Sequence, residues 1–410
     1  MKRLKSYRHT FASCCVASGI QALTVNLAPL LFVSFQESFD ISLSKLTALI
    51  TVTFLVQLLM DAGSAKIMDK IGYRTAVILS HVFASSGLIL MATLPFAMSN
   101  SYVGLMIGTI ICSIGGGIAE VIISPVVEAI PEKNVGNMSL LHSCYCFGYL
   151  AVVLITVGYF FIFDKDNWQY LVLAFAVIPI LNAIYFFFVP CSTLDEQRGE
   201  SIPLKNLFKC KRFYLFFILI LCAGACEQAM SQWVSYFAEK GLNLSKTLGD
   251  LVGPFSFALL MGLGRLFYGL FGRKIKLAKI LPILGIATLA CYITVAISEI
   301  PMLSLIICAL CGLAVSIMWP AALDLASRNI SKGGTAMFAM LALGGDIGCT
   351  LGPSIVGYVS DASEFGLRGG LAAAIVFAVM YIVASLAISK LKKSDHSQML
   401  ENKLNGDIQP

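Results

Sequence analysis

From the amino terminus onward, the chain alternates long, nearly unbroken apolar runs with short charged connections. The runs fall near 11–35, 43–64, 75–97, 101–128, 135–163 and 170–190, then near 213–239, 247–272, 278–298, 300–329, 333–360 and 366–390. Each matches or exceeds the roughly 20 residues that carry an α-helix across a ~30 Å hydrocarbon layer. None alternates polar and apolar positions as lipid-facing barrel strands do, so the pattern predicts twelve transmembrane helices. The basic opening Met1 to His9 precedes a run too long for a signal-peptide core and without a small-residue cleavage site, which reads as a retained first span.

Composition and charge sharpen this picture. The chain is 58% hydrophobic and 13% charged, whereas soluble domains carry roughly 25% charged residues. It is an all-α polytopic membrane protein, expected as a monomer in lipid, with no soluble domain of a size to house catalysis. Of 29 Lys and Arg, the outer connections hold only Lys45, Lys165, Lys240, Lys246 and Arg368. Positive residues stay on the side from which insertion occurs, so both termini are expected to be cytoplasmic, in the cell (inner) membrane. The net charge of +6 then reports topology and implies no nucleic-acid partner. The 13 cysteines are scattered mostly within spans as small packing residues, and the sequence assigns no disulfide, metal or cofactor.

The chain divides at its midpoint. A polar stretch reads as a cytoplasmic linker, 195–212, between six-helix halves at 1–194 and 213–390, with a polar tail at 391–410. An internal repeat supports the division: Gly117-Ile-Ala119 and Pro125 in span 4 match Gly312-Leu-Ala314 and Pro320 in span 10. The two prolines are expected to bend equivalent helices. Parallel halves with a site between them suit alternating access.

A charge inside a span costs at least ~2.5–3.5 kcal/mol on insertion scales, so each calls for a partner, water or a function. Glu120 lies in span 4, His142 in span 5, Glu227 in span 7 and Asp346 in span 11. Arg265 and Asp324 lie towards the cytoplasmic ends of spans 8 and 10. Glu120 and His142 fall at similar depth on neighbouring antiparallel helices, a composition that suits a proton relay or a buried structural pair. Glu227 and Asp346 are expected to form a second polar centre at midplane. Gln21, Asn26, Gln228, Gln232 and Trp233 add neutral donors, acceptors and an aromatic face, suiting a sugar or polyol or serving as interhelical glue. Spans 3, 6, 9 and 12 carry no Asp, Glu, Lys or Arg in their interiors, and are expected to face lipid. Gly115-Gly-Gly117 lacks the strand, Lys and Ser/Thr setting of a nucleotide loop.

The connection Ala65-Lys-Ile-Met-Asp69-Lys70-Ile-Gly72-Tyr-Arg74 resembles the signature between spans 2 and 3 of the major facilitator superfamily. Within it, the chain resembles the fucose:proton symporter family. The likeness rests on Gly115-Gly-Gly117-Ile-Ala-Glu120-Val-Ile-Ile-Ser124-Pro125, Pro131-Glu132, and His142-Ser-Cys-Tyr145-Cys-Phe147-Gly148. It extends through Glu227, Trp233 and Tyr236 to Pro320, Gly344-Gly345, Gly348, Gly352-Pro353 and Gly357-Tyr358. The chain departs from that family in lacking an Asp in span 1, in carrying Ser124 where Asn is usual, and in Asp346.

The resemblance implies a twelve-helix secondary transporter with Glu120 as the protonatable coupling carboxylate and His142, Tyr145 and Trp233 near the solute. It also makes Asp69, Lys70 and Arg74 gating residues, with Asp69 facing the amino terminus of span 11. Arg265 and Asp324 are expected to gate or to snorkel. The leading functional expectation is proton symport of a small polar solute, a sugar above all; the alternative is a proton-coupled exporter of drugs or metabolites.

Overall fold

The computed structural model describes residues 6–130, 138–191, 207–272, 275–330 and 334–406. Twelve of the described helices are long and apolar enough to cross a membrane. Spans 1 to 6 are Tyr7–Leu30, Leu43–Gly63, Tyr73–Ala97, Ser101–Val127, Ser143–Ile162 and Lys165–Phe188. Spans 7 to 12 are Lys211–Gly241, Lys246–Phe271, Leu277–Ile297, Pro301–Asn329, Met340–Ala362 and Gly366–Lys390. They form two six-helix halves. With twelve spans, the start of span 1 and the end of span 12 lie on one side, called inner below; residues 195–206 of the expected linker, 195–212, lie outside the described residues.

Local chemistry sets where the helices begin. The Ser6 side chain accepts from the Arg8 N–H at the start of span 1, and Asn100 accepts from Val103 N–H at the start of span 4. These caps satisfy donors that a helix start leaves orphaned. Span 1 sits nearer the amino terminus than its apolar run implies. Its helix ends at Leu30, and Phe32–Phe39 forms a separate short helix beyond it. Gly72, at φ +79°, supplies the left-handed turn between spans 2 and 3.

Small residues bring helices together, as packing in lipid requires. A Cβ on Gly115 would lie 2.4 Å from the Ala84 backbone nitrogen, so spans 4 and 3 touch backbone to backbone. A Cβ on Gly348 would lie 1.9 Å from the Leu221 carbonyl oxygen, giving spans 11 and 7 the equivalent contact. The halves meet where span 2 packs on span 11 and span 5 on span 8. Val82, Leu181, Ile283 and Val383, on spans 3, 6, 9 and 12, are half or more exposed, as lipid-facing side chains are. His81 in span 3 is buried instead, bonded to Val77 O, Ser80 and Asn182.

The repeated prolines behave differently. Span 4 continues as one helix, Ser101–Glu128, through Pro125. Span 10 stops at Val315 and resumes at Met318. Pro320 has no N–H for the carbonyl four residues back, that of Ser316, and so weakens the helix there. The repeat thus differs in that span 4 keeps a continuous helix through its proline while span 10 is interrupted just before its own.

Candidate functional site

A cavity of about 540 Å³ lies between the halves. Its inner rim is formed by residues late in spans 4, 8 and 10, including Ser124, Tyr268 and Asp324, and its depth by Glu227 near the middle of span 7. The cavity therefore opens towards the inner side.

One wall is organised by the break in span 10. Arg265 on span 8 donates from Nε to the Ser316 carbonyl at 3.1 Å. Its Nη2 reaches both carboxylate oxygens of Glu227, at 3.0 and 2.8 Å. A guanidinium fork satisfies a freed carbonyl and a carboxylate together, which an ammonium could not do with the same geometry. The Cys146 sulfur lies 3.5 Å from Nη1 and ties the arrangement to the other half.

A carboxylate group lies at the same cavity. One oxygen each from Asp61, Glu120 and Asp346 lies within 4.8 Å of the others. Asp61 and Glu120 come from spans 2 and 4, Asp346 from span 11 in the other half. Gln21 hydrogen-bonds Glu120. Asp61 Oδ1 and Asp346 Oδ2 are buried with no donor group beside them, and the Asp61 and Asp346 carboxyls lie close enough to share a proton in a hydrogen bond. Oxygen donors at such spacing are the ligand type that hard cations take.

Neutral polar groups form the deep end. Gln232 Nε2 donates to Asn26 Oδ1 at 3.3 Å and to Gln228 Oε1 at 3.1 Å, and Asn26 Nδ2 lies 3.3 Å from the Tyr145 hydroxyl. Beyond this layer the outer side is sealed. Lys246 on span 8 donates to the Leu30 carbonyl at the end of span 1 and pairs with Asp250 at 2.9 Å. Lys165 pairs with Glu239 and Lys240 with Glu37, while the Tyr236 hydroxyl donates to Gln36 at 2.9 Å. The Lys240 ammonium, hydrogen-bonded to Glu37, holds that carboxyl below the usual carboxylate range. The links between Lys165 and Glu239, Lys240 and Glu37, Lys246 and Leu30, and Tyr236 and Gln36 all cross between the halves.

A central cavity, midspan carboxylates and an ionic outer seal on two six-helix halves find their counterpart in sequence. The profile of the Major Facilitator Superfamily matches residues 10–353. The chain belongs to that superfamily. The E. coli fucose:proton symporter shares 16% identity over 94% of this chain and 99% of its own, with a TM-score of 0.64. A D-xylose-proton symporter aligns at 13% identity and TM-score 0.72, covering 93% of this chain and 96% of its own. A bacterial homologue of the human lysosomal transporter Spinster, inward-facing and occupied, aligns at 13% identity and TM-score 0.76, over 94% and 98%. At these identities the likeness is one of fold. No curated protein matches by sequence.

Set on this superfamily fold, the sequence-predicted residues separate into groups. Glu120, Glu227, Asp346, Gln21, Tyr145, Gln228, Arg265 and Asp324 line the cavity. Asn26 lies in the buried layer above it. Trp233 is fully buried, donating from Nε1 to the Pro353 carbonyl at 2.8 Å. The tryptophan that lines the cavity is Trp319, seated against Gly345, where a Cβ would lie 1.8 Å from the ring. Glu227 and Asp346 do not form one centre: Glu227 is held by Arg265, and Asp346 joins Asp61 and Glu120. Asp324 accepts from Arg328 at 2.7 Å and from the Tyr268 hydroxyl at 2.9 Å at the inner rim. Arg74 donates to the carbonyls of Phe186, Phe187 and Val189, capping the end of span 6 within its own half. The side chains of Asp69, Lys70 and His142 lie outside those described.

Sequence reasoning passed over Asp61, Gln57, Trp319 and the outer pairs. For Asp61 the signal was present: it follows Gln57 by one helical turn and ends an apolar run.

Proposed function

We propose that the chain is a secondary transporter that moves a small polar solute, of the sugar or polyol class, by alternating access with proton symport. The observation that carries this is the cavity itself, open at the inner side, sealed at the outer side by pairs between the halves, and lined at midspan by carboxylates. Gln21, Tyr145 and Gln228 offer hydrogen-bonding groups to hydroxyls, and Trp319 offers a face on which a sugar ring stacks.

In this reading Glu120 is the principal coupling group. It shares its surroundings with Asp61 and Asp346, and like charges so close repel strongly in a medium of low dielectric. A proton held among the three relieves that repulsion and leaves a neutral carboxyl able to donate to a solute hydroxyl. Loss of the proton removes that donor, so solute and proton occupancy are linked. Orientation with both termini in the cytoplasm makes the present state inward-open. His142, one residue before the start of span 5, is assigned as the proton-relay partner of Glu120 in this reading.

The test is counterflow into proteoliposomes with a panel of sugars and polyols, with and without a proton gradient. The reading predicts exchange of at least one solute and uphill accumulation only with the gradient. Accumulation of none of the panel, with the protein folded and correctly inserted, would count against it.

A further inference from the structure

The carboxylates of Asp61, Glu120 and Asp346 exceed what proton carriage needs, and their arrangement has the form of a ligand set. Their oxygens lie within 4.8 Å of one another. A metal ion held by oxygens at ~2.3–2.6 Å places its ligands no further apart than about twice that distance, so one ion can touch all three. The group contains no His or Cys, and carboxylate-only donors favour hard cations over zinc or copper.

Two further observations point to an occupant. Asp346 is 8% exposed, lines the cavity, and its Oδ2 is buried with no donor group beside it; Asp61 Oδ1 is buried in the same condition. A buried carboxylate oxygen without a donor is costly unless something positive or protonated reaches it. The cavity-lining cations are committed elsewhere. Arg265 is held by Glu227 and the Ser316 carbonyl, and Arg328 is paired with Asp324. Among the described residues that line the cavity, no other Lys or Arg is present.

We propose that Asp61, Glu120 and Asp346 form an oxygen-ligand site for a hard metal cation, Na⁺ or a divalent ion, bound between the two halves. The site rests on reading the cavity as the transport pathway, and it makes a metal cation a second coupling ion beside the proton. Spans 2 and 4 supply two ligands and span 11 the third, so the ion bridges the halves. Water from the cavity completes its shell.

The experiment uses the full chain, purified in detergent at constant ionic strength and fixed pH, without solute. Thermal unfolding is followed while NaCl replaces choline chloride. Separate arms use KCl, CaCl₂ and MnCl₂. A ligand that binds only the folded state raises the melting temperature in a saturable way. The expected result is such a rise with Na⁺ or with a divalent ion, and none with K⁺ or choline. Asp61→Asn and Asp346→Asn should need at least ~10-fold more cation for the same rise, while Glu299→Gln in the exposed outer connection should respond as wild type.

A second measurement needs no variant. Carbodiimide labelling of the wild-type carboxyls, mapped by mass spectrometry, should be blocked at Asp61, Glu120 or Asp346 by the same cation over the same range. Absence of a saturable response to every cation, equal responses in the Asn variants, or labelling indifferent to cation would each overturn the site. Because neither measurement involves flux, such a result leaves the transport reading standing, and failed counterflow leaves a positive cation result intact.

Discussion

Arg265 donates from Nε to the Ser316 carbonyl at 3.1 Å, the carbonyl that Pro320 leaves without its helix donor. The same guanidinium holds Glu227 through Nη2. A broken transmembrane helix exposes backbone that lipid cannot satisfy, and here the side chain that repairs it also neutralises a carboxylate in the cavity.

Removal of that side chain should therefore be expensive twice over. Breaking one partner out of a buried pair typically costs about 3–5 kcal/mol, so Arg265→Met should lower the melting temperature strongly. Replacing both partners, as in Arg265→Met with Glu227→Leu, should recover most of the stability while leaving transport abolished. Thermal unfolding and counterflow on the same preparations separate the two effects; recovery of transport in the double variant would show the pair to be scaffolding.

Glu120→Gln preserves size and most hydrogen bonding but cannot carry charge through a cycle. Exchange of solute down its gradient should persist, and proton-driven accumulation should be lost. If the Gln variant accumulates solute as wild type does, Glu120 is not the coupling group.

The two tryptophans should respond differently. Gly345→Val drives a side chain into Trp319 and should raise KM at least ~10-fold at unchanged expression. Trp233→Phe leaves the Pro353 carbonyl without its donor, a loss of about 1–3 kcal/mol for a buried unsatisfied group, with KM little changed. Equal KM effects in both would place Trp233 at the solute.

The outer pairs should differ in weight. Glu37 and Lys240 are exposed, and such pairs typically contribute ~0.2–1 kcal/mol. Glu37→Gln should barely change cysteine labelling from the outer side. The Glu37 carboxyl is lowered in the closed state, so this contribution is complete above the ordinary carboxylate range and fades as pH falls through the lowered value. Lys246→Met, by contrast, strips the buried Asp250 and the Leu30 carbonyl of their cation, and should raise outer labelling several-fold at neutral pH. Labelling unchanged by Lys246→Met would remove it from the seal.

The fold was legible because each span is a continuous apolar run, and Glu120, Glu227 and Asp346 stood out as charges within such runs. Asp61 did not, because at the predicted end of span 2 a carboxylate reads as the start of a polar connection, and only the packing of spans 2, 4 and 11 brings it beside Glu120 and Asp346. Trp233 and Trp319 could not be ranked from sequence, since which one faces the cavity depends on helix rotation. The outer Lys and Glu residues were visible singly; their pairing depends on which connections meet in space. Depth alone likewise grouped Glu227 with Asp346, whereas their partners, Arg265 for one and Asp61 with Glu120 for the other, depend on how the helices pack.

The carboxylate group joins Asp61 and Glu120 of one half to Asp346 of the other, and this makes it a spring as well as a site. Two unit charges 4–5 Å apart at an effective dielectric near 20 repel by about 3–4 kcal/mol, and here that force acts across the seam between spans 2 and 11. Empty and fully ionised, the group pushes the halves apart at its own depth; occupied by a positive charge, it pulls them together. A bias of that size moves a two-state population more than 100-fold, since about 1.4 kcal/mol is tenfold. In the proposed cycle, ion occupancy would act directly as torque on the two halves, with no relay of residues between the charge and the motion.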